Sequence, residues 1–475
     1  LRRKLNTKKI QILSGFFCSI FIYLHSVLIL TMQLIRGISG IRGIVGDSLT
    51  DSVLIRHIQA FSKLQGNGNI LLARDSRSHG TSFINTGCDA LIKCGRKAFN
   101  YGIIPTPTAQ FLVEKNKMAG GIVITASHNP TEWNGLKFID SDGCFLNGEK
   151  NNRLFEIADS QTFNLLQNGS AMQREHGYNA HIEHTLNLSI NDVNAIKKRL
   201  FSVVVDAVNG AGSHALPAML EALGCKVHRL FCEPNGEFPR GPEPLADNLK
   251  NLGEAVQLQN ADAGFATDPD GDRLAVVDEN GHPLSEEYTL TICADGFFNT
   301  TGSTKPLVTN LSSTLALDRV AEKYGSSVIR SAVGEINVVN KMKEVGAELG
   351  GEGNGGVILP ESHYGRDSLV GATMFLNRMA QDTQKVSEIF KSMPQFAMVK
   401  DKIKLGSVDS KSAMDKIELN FTDAKSDKTD GLKLIWGNSW VHIRKSNTEP
   451  IIRIYAEGKT EKIATDLVEV VKQLI

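Results

Sequence analysis

Three aspartates at alternate positions, Asp268, Asp270 and Asp272, are candidate metal ligands. A proline and a glycine separate them, so an extended loop would point all three carboxylates in the same direction. Converging carboxylates repel one another unless a cation lies among them, and hard oxygen ligands favour Mg²⁺ or Ca²⁺. A calcium loop of the EF-hand type requires glycine at the sixth position, where this chain has Arg273. The pattern therefore predicts a divalent-metal site of another kind.

Ser127 is the candidate nucleophile. The apolar run at residues 120–124 predicts a buried strand, and residues 125–130 are polar and end in a proline that cannot continue a ladder. Such a strand would present the serine hydroxyl on a rigid loop, although the same residue types also form ordinary turns. His128 is not expected to form a hydrolytic dyad with Ser127, because neighbours on an extended loop point to opposite sides. Lys137 follows ten residues later, and a hairpin would return its ammonium group toward the serine.

Three further loops carry groups that suit a phosphorylated sugar. Residues 444–450, followed by Arg453, combine guanidinium, ammonium, hydroxyl and amide donors, which bind phosphate. Arg42 lies on a glycine-flanked turn, which leaves its guanidinium open to an anion. Glu352 and Asn354 lie in a glycine-rich loop, and a carboxylate beside an amide suits sugar hydroxyls rather than phosphate. An exposed basic turn is the alternative for the arginine-bearing loops.

Together these groups predict a class of reaction. A serine oxygen, a divalent cation, a hydroxyl-binding loop and a separate phosphate-binding loop suit phosphoryl transfer to and from a phosphorylated sugar. If Ser127 carries a phosphoryl group, its oxygens can complete the metal shell that the three aspartates supply. The cation would then withdraw electron density from the phosphorus and stabilise the transition state.

The elements that must position these loops alternate between strands and helices, which predicts an α/β fold with mixed or mainly parallel sheets. In three successive units a strand ends in a polar or glycine-rich loop, near residues 120–130, 263–273 and 347–356. The last part of the chain instead predicts a small α+β domain closed by an amphipathic helix. Five apolar residues of that helix share one predicted face: Ile463, Leu467, Val470, Val471 and Leu474.

The composition argues against several classes of function. The 475 residues include 52 basic and 52 acidic side chains, and a net charge of zero gives no sign of nucleic-acid or membrane-surface binding. Seven cysteines are scattered without C-x-x-C pairs, so neither a zinc site nor a disulfide framework is indicated. We therefore expect buried, reduced thiols in a cytoplasmic protein.

The beginning of the chain has a different character. Basic residues within positions 2–9 precede an apolar run at residues 10–32, which is typical of a signal peptide or a signal anchor. Because the chain opens with leucine and Met32 directly precedes the globular pattern, we expect translation to begin at Met32. Residues 1–31 are therefore left out of the fold prediction, and a membrane is an expected partner only if they are made.

Four motifs, at residues 125–130, 268–273, 351–356 and 444–453, resemble in order and spacing those of the α-D-phosphohexomutases. Residues 39–43 and Lys137 also match the family pattern, so the resemblance covers about residues 33–475. It implies four domains around a central cleft, namely three topologically similar α/β domains with mixed sheets and a C-terminal α+β domain. The corresponding domains are residues 32–185 with the serine loop, 186–285 with the metal loop, 286–393 with the sugar loop and 394–475 with the phosphate loop.

The resemblance also implies roles for individual residues. One Mg²⁺ would be held by Ser127, as a phosphoserine, together with Asp268, Asp270 and Asp272. The reacting end of the substrate would be lined by Arg42, His128, Lys137 and Arg273, with Lys137 as general acid or base. The sugar hydroxyls would be bound by Glu352 and Asn354, and the unreacting phosphate by Arg444, Ser446, Asn447, Thr448 and Arg453. The phosphoserine would convert the substrate to a hexose 1,6-bisphosphate, which would then return its other phosphate to the serine.

The sugar loop departs from the commonest family pattern. Many members carry serine and histidine where this chain has Asn354, Gly355 and Gly356, and His363 is the predicted substitute for the histidine. This form of the loop is most similar to that of phosphoglucosamine mutases. The favoured reaction is therefore the conversion of glucosamine 6-phosphate to glucosamine 1-phosphate.

Other functions stay open at this point. A phosphomannomutase or phosphoglucomutase is the second choice, followed by a metal-dependent serine phosphatase and a calcium-stabilised binding protein. The expected partner is a phosphorylated hexose, with no nucleic acid, and the expected state is a monomer or a homodimer.

Overall fold

The computed structural model describes residues 34–160, 163, 166, 168–404, 410–446 and 451–475. The predicted start at Met32, the segment 1–31 and two predicted phosphate-binding residues, Asn447 and Thr448, lie outside these ranges. The described chain forms four β-sheets, each with its own helices. Among the helices in these ranges, none combines the length and apolar character that crossing a membrane requires.

The first sheet has seven strands in the order β1-β2-β6-β5-β3-β4-β7. Its strands are β1 (Ile35–Gly37), β2 (Gly40–Ile44), β3 (Ile70–Arg74), β4 (Lys97–Ile103), β5 (Gly120–Ile124), β6 (Trp133–Ile139) and β7 (Ser170–Gln173). The helices beside it are Asp51–Leu64, Gly80–Lys93, Thr106–Lys115 and Gly148–Ser160. Strand β5 is buried along its whole length because helices cover both faces of the sheet, which explains its continuous apolar sequence.

The second and third sheets have four strands each. The second contains β8 (Ser202–Asp206), β9 (Lys226–Leu230), β10 (Ala263–Thr267) and β11 (Leu274–Val277). The third contains β12 (Leu307–Asn310), β13 (Val328–Ser331), β14 (Gly350–Glu352) and β15 (Gly356–Ile358). The helices of this part are Gly177–Leu186, Val193–Arg199, Gly212–Ala222, the short 3₁₀ helix Ala246–Asn248, Lys250–Gln259, Glu287–Thr301, Ala316–Lys323, Glu335–Val345, Ser368–Ala380 and Val386–Ser392.

The first three sheets share one four-strand arrangement. The order β6-β5-β3-β4 of the first sheet recurs as β11-β10-β8-β9 in the second and as β15-β14-β12-β13 in the third. In each, three parallel strands are followed by one antiparallel strand at the edge of the arrangement. The loop before that antiparallel strand is the serine loop, the metal loop and the sugar loop in turn. This repetition confirms the predicted set of three topologically similar α/β domains with mixed sheets.

The fourth sheet is wholly antiparallel, in the order β16-β20-β19-β18-β17. Its strands are β16 (Ala397–Lys404), β17 (Lys425–Asp427), β18 (Leu432–Trp436), β19 (Ser439–Lys445) and β20 (Ile451–Gly458), and its helices are Ser410–Asn420 and Glu461–Leu474. The predicted C-terminal α+β domain is therefore confirmed. The predicted face of the last helix is wrong in part, because Ile463 and Val470 are 42% and 43% exposed while Ala464, Val468 and Val471 are buried.

Contacts between domains fix the walls of the central cleft. One apolar core runs from the second domain into the third, and the buried helix Ser368–Ala380 packs within it. The fourth domain is tied to the third by polar contacts: Glu457 accepts a hydrogen bond from Leu315 N at 2.8 Å, and Ser312 Oγ lies 2.8 Å from His442 Nδ1. Residues of all four domains line one cavity between them.

The buried His57 makes the stability of the first domain depend on pH. Its Nδ1 donates to the carbonyl of Val53 at 2.7 Å, its Nε2 has no hydrogen-bond partner, and burial lowers the pKa of the ring to about 4. Because this pKa lies below the ordinary 6.5, the neutral ring's contribution to the free energy of unfolding is fully present above pH 6.5. It is lost as the pH falls through 4. The full loss is about 3 kcal/mol.

We therefore expect the thermal midpoint of the wild type to fall more steeply between pH 6.5 and pH 4.5 than that of a His57→Gln variant. Scanning calorimetry across this range measures the difference. The exposed His214, on the helix Gly212–Ala222, supplies the control variant His214→Gln, which should follow the wild type. Parallel curves for wild type and His57→Gln would contradict the prediction.

Candidate active site

A cavity of about 530 Å³ opens among the four domains. Residues of every domain line it, and they include ten that the sequence had singled out: Arg42, Ser127, His128, Lys137, Arg273, Glu352, Asn354, Arg444, Ser446 and Arg453. The three aspartates lie directly behind this lining and are fully buried. The cavity thus brings together candidate groups that are spread between residues 42 and 453 of the sequence.

Ser127 lies in the loop that follows β5, with its backbone in the left-handed region at φ 50°. Its Oγ donates to Asp268 Oδ2 at 3.2 Å and lies 3.4 Å from His128 Nδ1. The expectation that these neighbours point to opposite sides is therefore wrong, because the left-handed residue turns the chain and the loop is not extended. The contact with Asp268 brings the serine of the first domain to the metal loop of the second.

Arg77 and Asp75 hold the serine loop in this conformation, and neither was predicted as a site residue. The buried Arg77 guanidinium donates to the carbonyls of Ser127 and Asn129, both at 2.7 Å, and to that of Pro130 at 2.5 Å. Asp75 pairs with Arg77 at 3.0 Å and accepts the Thr125 hydroxyl at 2.6 Å. In the sequence, the alternation of charges at residues 74–77 predicts a turn with an ion pair. It does not indicate that this turn holds the serine loop.

The metal loop brings its three carboxylates within 4.8 Å of one another. Asp268 Oδ1 accepts the backbone N–H groups of Asp272 and Arg273 at 3.1 and 3.2 Å, which folds the loop around this carboxylate. Oδ1 of Asp270 and Oδ1 of Asp272 are buried without a hydrogen-bond partner. Unpaired buried carboxylate oxygens fit a hard divalent cation, so these residues could hold Mg²⁺.

Basic side chains surround the carboxylates of the metal loop. Burial, together with the negative charges of Asp272 and Asp270, raises the pKa of Asp268 well above its usual range. Lys137 Nζ lies 2.6 Å from Asp270 Oδ2 and 3.2 Å from Asp272 Oδ2. Burial opposes the charge of Lys137, but the two carboxylates outweigh it and raise the pKa of the ammonium. Arg366 Nη2 lies 2.7 Å from Asp272 Oδ2 and Arg273 Nε lies 3.9 Å from Asp268 Oδ2, so three basic side chains face the three carboxylates. The assignment of a metal site rests on the unpaired Oδ1 atoms rather than on an excess of negative charge.

The EF-hand alternative fails in the structure as well. Counted from Asp268, the twelfth position of such a loop is Glu279, whose carboxylate would complete a calcium shell. Its Oε1 instead accepts the Ser387 hydroxyl at 2.6 Å and its Oε2 the Ser387 N–H at 3.1 Å. The metal loop leads directly into strand β11, whereas an EF-hand loop leads into a helix.

His128 and Arg273 meet on the reacting side of the cavity. Arg273 Nη2 lies 2.9 Å from His128 Nδ1, and its Nη1 donates to Glu243 at 3.1 Å. Burial in the cleft, with Arg273 and Arg42 close by, holds the pKa of His128 well below its usual range. The imidazole is therefore neutral at physiological pH and accepts the arginine N–H.

The sugar loop runs between β14 and β15. Glu352 Oε1 accepts Asn310 Nδ2 at 2.7 Å and the N–H of Gly334 at 3.0 Å, which fixes the carboxylate at the cavity wall. Asn354 Oδ1 accepts the N–H of Gly356 at 3.3 Å, and the side chain reaches the cavity. Both predicted sugar-binding residues thus face the same space as Ser127.

His363 does not take the place predicted for it. It is buried, it does not line the cavity, and its Nε2 lies 3.0 Å from Asp367 Oδ2. His181 Nε2 lies 2.9 Å from the same oxygen, so two imidazoles and one carboxylate form an internal cluster. The residue that does reach the sugar loop from this segment is Arg366, which the sequence analysis did not select.

The described residues of the phosphate loop, Arg444, Ser446 and Arg453, line the cavity from the fourth domain. Arg444 of β19 and Arg453 of β20 are directly opposite in the antiparallel ladder, so the two side chains are neighbours on the same face of the sheet. Ser446 Oγ lies 3.5 Å from Arg453 Nε, and Arg444 Nε is buried without a hydrogen-bond partner. Two adjacent arginines with an unpaired N–H suit an incoming phosphate.

Comparison with known proteins gives one family over nearly the whole chain. The phosphoglucomutase/phosphomannomutase alpha/beta/alpha domains I, II and III match residues 33–165, 176–281 and 285–396, and the C-terminal domain matches residues 399–474. A phosphoglucomutase/phosphomannomutase of Thermococcus kodakarensis is 36% identical over 443 residues, which cover 91% of this chain and 96% of that protein. A probable phosphoglucosamine mutase of Methanopyrus kandleri is 31% identical over 436 residues, 91% of this chain and 95% of that protein. The crystal structure of a family protein from Burkholderia thailandensis matches with a TM-score of 0.82 at 25% identity, covering 92% of this chain and 96% of that one.

Proposed function

Since the chain belongs to the phosphoglucomutase/phosphomannomutase family of enzymes, we propose that it moves a phosphoryl group between O6 and O1 of a hexose phosphate. The proposed reaction interconverts glucosamine 6-phosphate and glucosamine 1-phosphate. The observation that carries the proposal is the position of Ser127 Oγ, 3.2 Å from Asp268 Oδ2 and in the same cavity as the arginines of the phosphate loop.

In the proposed reaction phospho-Ser127 gives its phosphoryl group to the free O1 or O6 hydroxyl of the bound hexose phosphate. The bond between the phosphorus and the serine oxygen breaks, a bond to the sugar oxygen forms, and the hydroxyl proton is passed to the serine oxygen. The product is a hexose 1,6-bisphosphate, whose other phosphate then returns to Ser127 by the reverse exchange. Lys137 is proposed to carry the proton, since it lies beside the metal loop and lines the cavity.

The other site residues are assigned by the same reasoning. When Mg²⁺ is bound by Asp268, Asp270, Asp272 and the phosphoserine, it supplies charge that stabilises the transition state of transfer. Arg42, His128 and Arg273 would orient the transferring phosphate, while Glu352 and Asn354 would bind sugar hydroxyls. The unreacting phosphate would be held by Arg444, Ser446, Asn447, Thr448 and Arg453.

The names of the relatives include more than one sugar phosphate. The Methanopyrus relative is named for phosphoglucosamine, whereas the Thermococcus relative is named for glucose and mannose phosphates. Phosphomannomutase or phosphoglucomutase activity is therefore the second candidate.

Six described cysteines are free, which supports the expected cytoplasmic location, and a monomer or homodimer stays the prediction for the assembly.

A substrate panel tests the proposal. Glucosamine, glucose and mannose 6-phosphates are each supplied with Mg²⁺ and a trace of the matching 1,6-bisphosphate, and products are followed by ³¹P NMR. We expect the highest kcat/KM for glucosamine 6-phosphate, with isomeric monophosphate and little inorganic phosphate. A higher value for glucose or mannose phosphate would favour the second candidate. Release of inorganic phosphate in step with substrate loss would instead identify a phosphatase.

A further inference from the structure

Arg366 joins the metal loop to the sugar loop. Its Nη2 donates to Asp272 Oδ2 and its Nη1 to Glu352 Oε2, both at 2.7 Å. The side chain lines the cavity although the residue is only 7% exposed. One guanidinium therefore holds a carboxylate of the second domain and a carboxylate of the third at fixed separation.

A third bond extends this connection to the first domain. Arg366 Nε donates to Glu335 Oε2 at 3.0 Å, and Gln110 Nε2 donates to the other Glu335 oxygen at 3.1 Å. Gln110 belongs to the helix Thr106–Lys115, whose first residue, Thr106, donates its hydroxyl to Asp270 at 2.8 Å. The planar fork of an arginine can satisfy three buried acceptors in this way, which a lysine ammonium on a flexible stem cannot reproduce.

Gly356 provides the space that Arg366 occupies. A Cβ atom at Gly356 would lie 2.3 Å from Arg366 Cδ and 2.8 Å from its Cγ. Any larger residue at this position would have to displace the stem of the arginine, and with it the guanidinium.

We propose that Arg366 is a positioning residue that sets Asp272 and Glu352 in one geometry, so that metal binding and sugar binding depend on the same side chain. The inference rests on the proposed function, because that function identifies one of the two loops as metal-binding and the other as sugar-binding. Removing the guanidinium would leave three buried carboxylates without their shared counter-charge, which is strongly unfavourable at a buried site. Each loop would then relax, although neither has lost a ligand.

The first test compares Arg366→Lys with a matched control. Arg378 is also 7% exposed and also pairs with two carboxylates, Asp295 at 2.8 Å and Asp382 at 2.9 Å, but it does not line the cavity. We expect Arg366→Lys to weaken Mn²⁺ binding, measured by calorimetric titration, and to raise KM for the hexose phosphate, each by roughly tenfold. Arg378→Lys should change thermal stability and leave both constants within about twofold.

The second test uses Gly356. We expect Gly356→Ala to weaken Mn²⁺ binding and raise KM as Arg366→Lys does, and to add little further loss when it is combined with Arg366→Ala, because the clash is then removed. Purely additive effects in this double-mutant cycle would overturn the proposal. So would an Arg366→Lys variant that loses thermal stability but keeps wild-type Mn²⁺ affinity. The Mn²⁺ measurement needs no turnover, so it distinguishes failure of this inference from failure of the proposed function.

Discussion

We expect the replacement of Ser127 by alanine to abolish turnover of the hexose phosphate while the fold is retained. The hydroxyl is the group that would carry the phosphoryl, so kcat should fall by roughly a thousandfold or more, as it does when a covalent nucleophile is removed. Ser127 Oγ donates to Asp268 Oδ2 at 3.2 Å and lies 3.4 Å from His128 Nδ1, so the variant loses one small hydroxyl and little packing. Intact-mass analysis after incubation with hexose 1,6-bisphosphate should show a phosphorylated wild type and an unmodified variant.

The control for this experiment is Ser62→Ala. Ser62 is buried in the helix Asp51–Leu64 and accepts a hydrogen bond from Arg96 Nε at 3.1 Å, away from the cavity. Its removal should leave kcat unchanged. An undiminished kcat in Ser127→Ala, or phosphorylation of that variant to the same extent as the wild type, would reject the assignment of the serine.

The second large effect is expected from Asp270→Asn. The change keeps the shape of the side chain but removes one of three charges that converge within 4.8 Å. It also weakens the contacts of Lys137 and Thr106 with Oδ2, at 2.6 and 2.8 Å. We expect the Mg²⁺ concentration for half-maximal activity to rise at least about tenfold, and kcat/KM at limiting Mg²⁺ to fall by about a hundredfold.

Activity measured over a range of Mg²⁺ concentrations separates this effect from a general loss of stability. Asp278→Asn is the matched control, because Asp278 is also buried in the second domain but accepts the N–H groups of Asn280 and His282 in a turn. It should leave the Mg²⁺ dependence unchanged. If Asp270→Asn had the same Mg²⁺ requirement as the wild type, the carboxylate could not be a metal ligand.

The loops of the site were predictable because each interrupts a regular pattern. An apolar strand that ends in polar residues and proline marks the Ser127 loop, and alternation at Asp268, Asp270 and Asp272 marks the metal loop. Both signals are local, so they survive in a single sequence. The shared order of three sheets follows from repeated strand and helix alternation together with the family resemblance.

The interactions between loops were not predictable in the same way. His363 was selected in place of Arg366 because a histidine was missing from the sugar loop, yet spacing along the chain does not determine which side chain faces the cleft. Asp367 caps the helix Ser368–Ala380 by accepting the N–H groups of Leu369 and Val370. The capping Asp367 also pairs with His363 and His181, so His363 is held inside the protein. Arg366 is left facing Asp272 and Glu352.

The last helix shows a different limit. Counting large apolar residues placed Ile463 and Val470 on the buried face, but both are more than 40% exposed. The helix packs on the fourth sheet through Ala464, Val468 and Val471, at helical spacing. The small side chain of Ala464 permits the helix to pack close to the sheet. Which residues face the sheet therefore depends on the distance between helix and sheet, and the hydropathy of the sequence does not give this distance.

The support that Arg77 gives to the serine loop limits how the proposed reaction can proceed. Three backbone carbonyls of that loop accept hydrogen bonds from one buried guanidinium, which holds Ser127 at a single point in the cleft. If Ser127 is the phosphoryl donor, as proposed, both O1 and O6 of the hexose must reach that point in succession. The proposed bisphosphate would then have to turn end over end between the two transfers, and the arginines of the fourth domain would hold whichever phosphate lies farther from the serine.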